Sequence, residues 1–429
     1  MSEPGDAVPS PPLRRGRGTR RPMGTRTGST ERPPASPSLP PDILRDVLAR
    51  CDHETLVRCA ASSRLLCRCM LDDPAFLRRC AAVAADSSAP SLLLGFFHGP
   101  IGFYVPGGSM TRFVEAPGPL AAIPRAPVRS FLSDNADLLR RFDEPVACRG
   151  GLVVLRRRMG KTEHRTGGEL CVCDPMTGRG RLLPLPAMDY TWLALLTGDD
   201  DAGPFQLLAV ALPCGLMEWR WGQVRTQLFS STEPFPAMPA GEWGPVRGVA
   251  LPFDAPRFST YEAPLVINGV AHFLTEGKCG VLTVRAGEGR AGLIKAPAEC
   301  ARPGTTSSNP VILARTADRR LSMVVVEELV ITLFVLSSPQ PGSWERRAAV
   351  VREGILAPPK WIRLDSFGER SGTVAMCADD EAGRRYFLLK LETMEVAAMP
   401  PEKRYRYFSW PMYLYETDLP SLAAALADQ

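Results

Sequence analysis

Two stretches of this chain have the spacing of phosphate-binding loops. Met159-Gly160-Lys161-Thr162 copies the end of a P-loop, whose Lys and Thr serve phosphate and magnesium. That loop also needs a Gly five residues before Gly160, and Leu155 stands there, so the backbone donors that cradle phosphate are missing. The segment from Arg156 through Lys161 therefore reads as a solvated hairpin loop. Gly287-Glu288-Gly289-Arg290-Ala291-Gly292 fits G-x-G-x-x-G after an apolar run, Val281–Val284. A dinucleotide site would need a helix next, to hold a pyrophosphate at its N-terminus. Leu293–Ala296 is too short for one and Pro297 ends it, so a hairpin turn is expected.

The four histidines, His53, His98, His164 and His272, show no i, i+4 pairing for a metal face, and no G-x-S-x-G nucleophile elbow is present. His272 reads as a core or rim residue of a strand. Asp199-Asp200-Asp201 reads as an acidic loop tip, with calcium as its alternative ligand. Twelve cysteines include no C-x-x-C; the C-x-C pairs Cys67/Cys69 and Cys171/Cys173 lack a companion His or Cys cluster. They read as reduced, structural thiols of the nucleus or cytoplasm. Neither a metal nor a cofactor is assigned, and a non-catalytic role is expected.

The most regular element is the stretch 39–80. Apolar residues recur at i, i+1, i+4, i+5 three times: Ile43, Leu44, Val47, Leu48; then Leu56, Val57, Ala60, Ala61; then Leu65, Leu66, Cys69, Met70. Each set lies on one face of a helix. Pro40 and Pro41 suit a first turn, Asp52 suits an N-cap, Ser62-Ser63 interrupts, and Asp72-Asp73-Pro74 stops the third helix. Three short helices sit near the ~40-residue limit for independent folding. The segment must borrow a surface, from the rest of the chain or from a partner.

Composition places the remaining elements. The first 41 residues hold seven Arg, no Lys and three acidic residues, a net of +4 out of the chain's +5, so the folded part is nearly neutral. Residues 1–38 are rich in Pro, Arg, Gly and Ser and read as a disordered basic tail, with nucleic acid as an improbable partner through that tail alone. No secretory signal is visible, and the apolar run Leu321–Leu336 is broken by Glu327-Glu328, which reads as two strands rather than a membrane helix. After a linker over 81–91, residues 92–420 alternate short apolar runs with Gly, Pro, Asp and Ser turns, and 421–429 form a tail in which Ser421–Ala427 adds a short helix. Asn268-Gly269 between apolar runs marks a hairpin, since both positions favour positive φ. Multi-stranded units at roughly 40–50-residue spacing predict a β-propeller of about six to eight blades. The fold class is therefore α+β: a small helical domain followed by a mainly antiparallel β domain.

Leu39-Pro40-Pro41-Asp42-Ile43-Leu44, the Leu56-Val57 pair and Asp73-Pro74-Ala75-Phe76 resemble an F-box, with Cys67 where many members carry Trp. Cys173–Gly178 with Leu183-Pro184, Ile267–Leu274, and the closing Pro411–Glu416 resemble the F-box-associated, kelch-like domains of plant F-box proteins, of the grass type. The resemblance implies a substrate-recognition subunit of a Skp–cullin–F-box ubiquitin ligase. Leu39, Pro40, Ile43, Leu44, Val47, Leu48, Leu56, Val57 and Phe76 would form or support the face that binds a Skp-type adaptor, and through it a cullin. The β domain would bind a protein substrate. The alternative is a propeller scaffold acting without a ligase.

Overall fold

The computed structural model describes residues 39–51, 53–77, 92–99, 111–116, 126–142, 144–157, 169–188, 191–196, 205–211, 223–231, 233, 241–251, 263–275, 280–297, 300, 311–327, 330–338, 343–351, 361–380, 383–399 and 412–427. The P-loop-like Met159–Thr162, the acidic Asp199–Asp201, His164 and the basic tail lie outside them.

Five consecutive stretches each fold into one four-stranded antiparallel sheet, taken here as blades one to five. Blade one holds β3 to β6 (Glu144–Arg149, Leu152–Arg156, Glu169–Asp174, Arg179–Pro184), after β1 (Leu92–His98) and β2 (Arg112–Glu115). Blade two holds β7 to β10 (Thr191–Leu195, Gln206–Ala211, Gln223–Ser230, Arg247–Ala250). Blade three holds β11 to β14 (Leu265–Ile267, Val270–Leu274, Gly280–Arg285, Gly292–Lys295). Blade four holds β15 to β18 (Val311–Arg315, Leu321–Glu327, Val330–Ser338, Ser343–Val351). Blade five holds β19 to β22 (Trp361–Gly368, Thr373–Asp380, Gly383–Lys390, Glu395–Ala398). The sixth sheet has the order β2-β1-β23, where β23 is Met412–Thr417.

The first strands β3, β7, β11, β15 and β19 pack side by side in that order, β23 follows, and β23 packs back on β3. The ring is thus a six-bladed propeller, closed by pairing Leu92–His98 with Met412–Thr417. This fixes the count at the low end of the six-to-eight expectation. The apolar run does form two strands, β16 ending at Glu327 and β17 starting at Val330. Asn268 and Gly269 have φ of 49° and 71° and turn β11 into β12, as their sequence demands. Gly287, at φ 84°, sits in the turn from β13 to β14, so the G-x-G-x-x-G stretch opens a strand and no helix.

The seam between blades repeats one device. From blade one to blade four, the end of one fourth strand is bonded to the start of the next blade's fourth strand or to the turn before it. Trp243 Nε1 donates to the Pro184 carbonyl (2.8 Å), and Trp344 Nε1 donates to the Lys295 carbonyl (2.7 Å). Between blades two and three the same tie is made by backbone, Ala250 N–H to Gly289 O (3.0 Å) and Ala291 N–H to Ala250 O (2.9 Å). The indole lets an apolar body fill the seam while its one donor reaches a carbonyl at the rim.

Helical periodicity is scarce in 92–420, yet two helices form there. With α1 (Pro41–Arg50), α2 (His53–Ser62) and α3 (Arg64–Leu71) ahead of them, they are α4 (Ala126–Asp134) and α5 (Ala136–Arg141). They carry the chain from β2 to β3, where the other blades have a fourth strand. The chain then ends in α6 (Leu419–Ala427), which packs on α2 and α3.

Blade six tolerates little change at β1. A Cβ on Gly95 would stand 2.0 Å from the Val114 carbonyl oxygen and 2.5 Å from the Phe113 ring. A ring can swing away, but the carbonyl belongs to the β1–β2 ladder. Gly95→Ala should cost roughly 1–3 kcal/mol, as overpacking does. A lower urea midpoint with an unchanged slope would show it, whereas an unchanged midpoint would mean that β2 moves freely.

Candidate functional site

The helical stretch is held by a one-sided core. Leu48 of α1, Leu56, Val57 and Ala60 of α2, Cys67, Cys69 and Met70 of α3, and Phe76 just beyond are buried. They share one apolar cluster with Leu94 and Phe97 of β1, Phe131 of α4, Leu139 of α5, Tyr415 of β23, and Leu419, Leu422 and Ala425 of α6. The borrowed surface is therefore within the chain. α3 ends where Asp72 N–H bonds Arg68 O (2.8 Å), and Asp73 Oδ1 accepts the Ala75 N–H (2.8 Å), capping a turn with Pro74 first. This cap swings Phe76 inward.

Cys67 fills its place without an aromatic ring. Its Sγ donates to the Ala60 carbonyl (3.0 Å), stitching α3 to α2, and burial raises the thiol's pKa so that it stays a neutral donor.

The nine residues expected at an adaptor face separate into two sets. Leu48, Leu56, Val57 and Phe76 are buried, so they support a face rather than form one, and Leu44 is half-buried. Leu39, Ile43 and Val47 are 53%, 47% and 51% exposed, and Pro40 is exposed too. Ile43 and Val47 lie one turn apart on α1. Leu65 and Leu77 are exposed as well. Among the described residues, seven large apolar side chains are exposed, and five fall between 39 and 77; the others are Leu182 and Val246. Single exposed apolar residues are ordinary, whereas contiguous apolar patches mark contact surfaces. Asp42 and Arg45, paired at 2.9 Å, flank the row with opposite charges.

A second constellation closes one end of the propeller's channel. Arg149, the last residue of β3, reaches across the ring. Its Nε donates to Glu369 Oε2 (2.8 Å), one Nη to the Leu196 carbonyl (2.9 Å) and more weakly to that of Leu195 (3.4 Å), and the other to the Val266 carbonyl (3.4 Å). Arg315 Nε donates to the Glu369 carbonyl (2.9 Å). Five blades are thereby tied at one hub. The Arg149 and Glu369 side chains are 6% and 15% exposed. Inside the ring about 60 Å³ is open to the centre of a water molecule, beside Ser366, Asp365 and Tyr413. At ~10–15 Å³ per water this holds a few waters. Asp365, at a bulge in β19, is ion-paired with Arg363.

The hub was not among the expected site residues, and no local spacing announces it. His98 and His272 are buried on strands of blades six and three. His98 Nδ1 bonds the Gly99 carbonyl (2.8 Å), and burial lowers its pKa to about 4; His272 Nδ1 bonds the Leu265 carbonyl (3.2 Å), and burial lowers its pKa too. Cys171 and Cys173 lie buried together on β5. No helix among the described residues is long and apolar enough to cross a membrane.

Comparison with known proteins adds three solved structures, each of low likeness. A functionally unknown protein from Desulfotomaculum acetoxidans DSM 771 is 9% identical, covering 62% of this chain and 74% of its own, with a TM-score of 0.34. A Mycobacterium tuberculosis puromycin-hydrolyzing peptidase is 14% identical over 62% of this chain and 40% of its own, TM-score 0.33. A post-proline cleaving enzyme from Rickettsia typhi is 6% identical over 85% of this chain and 58% of its own, TM-score 0.32. This chain thus spans well under two thirds of either peptidase. No curated protein matches. One family profile matches residues 114–428, from β2 through α6, and by that match the chain belongs to the family described as a domain of unknown function, DUF7595.

Proposed function

We propose that the chain is the substrate-recognition adaptor of a Skp–cullin–F-box ubiquitin ligase, with α1–α3 as its F-box and the propeller as an F-box-associated, kelch-like domain that holds a protein substrate in the nucleus or cytoplasm. The observation that carries this reading is the exposed row of Ile43 and Val47 on α1, a helix whose Leu48 is buried in the core beneath it. A core supports the row from below, which is what a docking face needs to stay in shape. In this role the chain makes and breaks no bond. It holds a substrate lysine near a charged ubiquitin carrier, and the gain is effective concentration.

The test is capture of a purified Skp-type adaptor by the full chain. Ile43→Asp with Val47→Asp should weaken capture by about 100-fold, the effect of carrying two unpaired carboxylates into an apolar contact. Since both side chains are about half exposed, the thermal midpoint should stay where it is. Wild type that captures no adaptor, or a double variant that captures it undiminished, would overturn the reading; the first result would leave the propeller as a scaffold without a ligase.

A further inference from the structure

The row on α1 is presented only because the far end of the chain comes back to hold it. α6 follows β23 directly, at the end of the ring where the innermost strands finish. Asp418 caps it: Oδ1 accepts the Ser421 N–H (2.7 Å), and the backbone carbonyl accepts the Leu422 N–H (3.0 Å). Oδ2 accepts from Arg370 (3.0 Å), in the turn between β19 and β20. The same turn is fastened from β23, where the Glu416 carboxylate accepts the N–H of Arg370 (2.9 Å) and of Ser371 (2.8 Å). Burial pushes the Asp418 pKa up, but Arg370 and the Ser421 donor outweigh it, and the net shift is downward. The cap thus stays a carboxylate, and its direction is locked to blade five.

From that fixed start α6 puts Leu419, Leu422 and Ala425 into the core shared by Val57, Ala60, Cys67 and Met70, and it packs on α2 and α3. Helices totalling some 30 residues lie below the ~40-residue size that folds unaided. Six of their fifteen buried partners in that cluster come from blade six and α6, which the chain completes only when β23 closes the ring.

We propose that α6 is the positioning element of the docking face: the exposed row on α1 is competent only while the ring is closed and Leu422 is seated, so adaptor binding is conditional on a finished propeller. This rests on the adaptor reading above. Leu422 itself touches no adaptor; it acts through α2 and α3. The docked fraction then sets the apparent affinity, because Kd rises as the competent fraction falls.

All seven Trp lie between positions 192 and 410, outside α1–α3 and α6, and the described ones, Trp192, Trp243, Trp344 and Trp361, belong to blades two, four and five, so Trp emission serves as the readout of the propeller. Three full-chain variants are compared with wild type by Trp emission, hydrogen exchange of α1–α3 amides, and capture of a Skp-type adaptor. Leu422→Asp should leave Trp emission unchanged, speed exchange in α1–α3, and raise the adaptor Kd by about tenfold or more. Leu422→Met should behave as wild type. Asp418→Asn should give a smaller rise in the same amides, and it decides the matter if Leu422→Asp shifts Trp emission. Unchanged α1–α3 exchange in both Leu422→Asp and Asp418→Asn would overturn the proposal, as would unchanged affinity when exchange accelerates. If wild type captures no adaptor, the adaptor reading falls alone, and the exchange measurements still decide whether α6 holds the helices.

Discussion

Arg149→Ala should remove about 3–5 kcal/mol of folding stability, the cost of stripping one partner from a buried pair. Glu369 would sit at 15% exposure with its main counter-ion gone. The carbonyls of Leu195, Leu196 and Val266 would lose a donor where only the few waters of the channel can replace it. Arg149→Met isolates the charge, since it keeps most of the stem's packing, and it should lose nearly as much. Arg149→Met with Glu369→Leu removes both charges together and should recover most of the loss, because the pair's attraction is set against the desolvation of two ions. Urea unfolding of wild type, Arg149→Met, Glu369→Leu and the double variant gives the coupling energy directly. A single variant that loses under about 1 kcal/mol would place the pair with exposed ion pairs and deny it a role at the hub.

The hub also marks where sequence reading stops. Arg149 and Glu369 stand 220 positions apart, and neither has a neighbour that signals the other. The same is true of the closure, in which β1 meets β23 across most of the chain. Features set within a few residues were legible. The proline and Ser positions bound α1 and α3 as they are observed, Asp52 at the start of α2 lies outside the described residues, and Asn268-Gly269 can turn in few other ways. The three apolar sets also predicted which helical faces are buried, but not which residues remain outside. Leu48 and Val47 are neighbours in one set, and only packing against α3 separates the buried one from the exposed one. α4 and α5 were missed because nine and six residues carry too little periodicity to stand out among strands. The seams were not legible either, because nothing in the sequence pairs Trp243 with the Pro184 carbonyl or Trp344 with that of Lys295.

Acid should loosen blade six before neutral pH does, through His98. In the fold this imidazole is buried and bonded to the Gly99 carbonyl, and its pKa falls from 6.5 to about 4. Burial is the main cause, and Arg112, its partner across β1 and β2, adds to it. The unfolded chain therefore takes up a proton that the folded chain refuses. The stability tied to neutral His98 is intact above pH 6.5, declines as pH falls toward 4, and is then fully lost, a span of about 3 kcal/mol at 1.36 kcal/mol per pKa unit. His272 is also depressed and works in the same direction in blade three. Asp418 joins them at lower pH, because its depressed carboxyl loses its stabilising charge only as pH falls through the folded pKa. Urea midpoints measured at intervals between pH 7 and pH 4 should fall steadily for wild type. His98→Gln should be weaker at pH 7 yet show a shallower decline, the difference between the two curves closing by about 3 kcal/mol at pH 4. Parallel curves for the two proteins would mean that His98 titrates alike in both states, and that water reaches β1 at the seam with blade five.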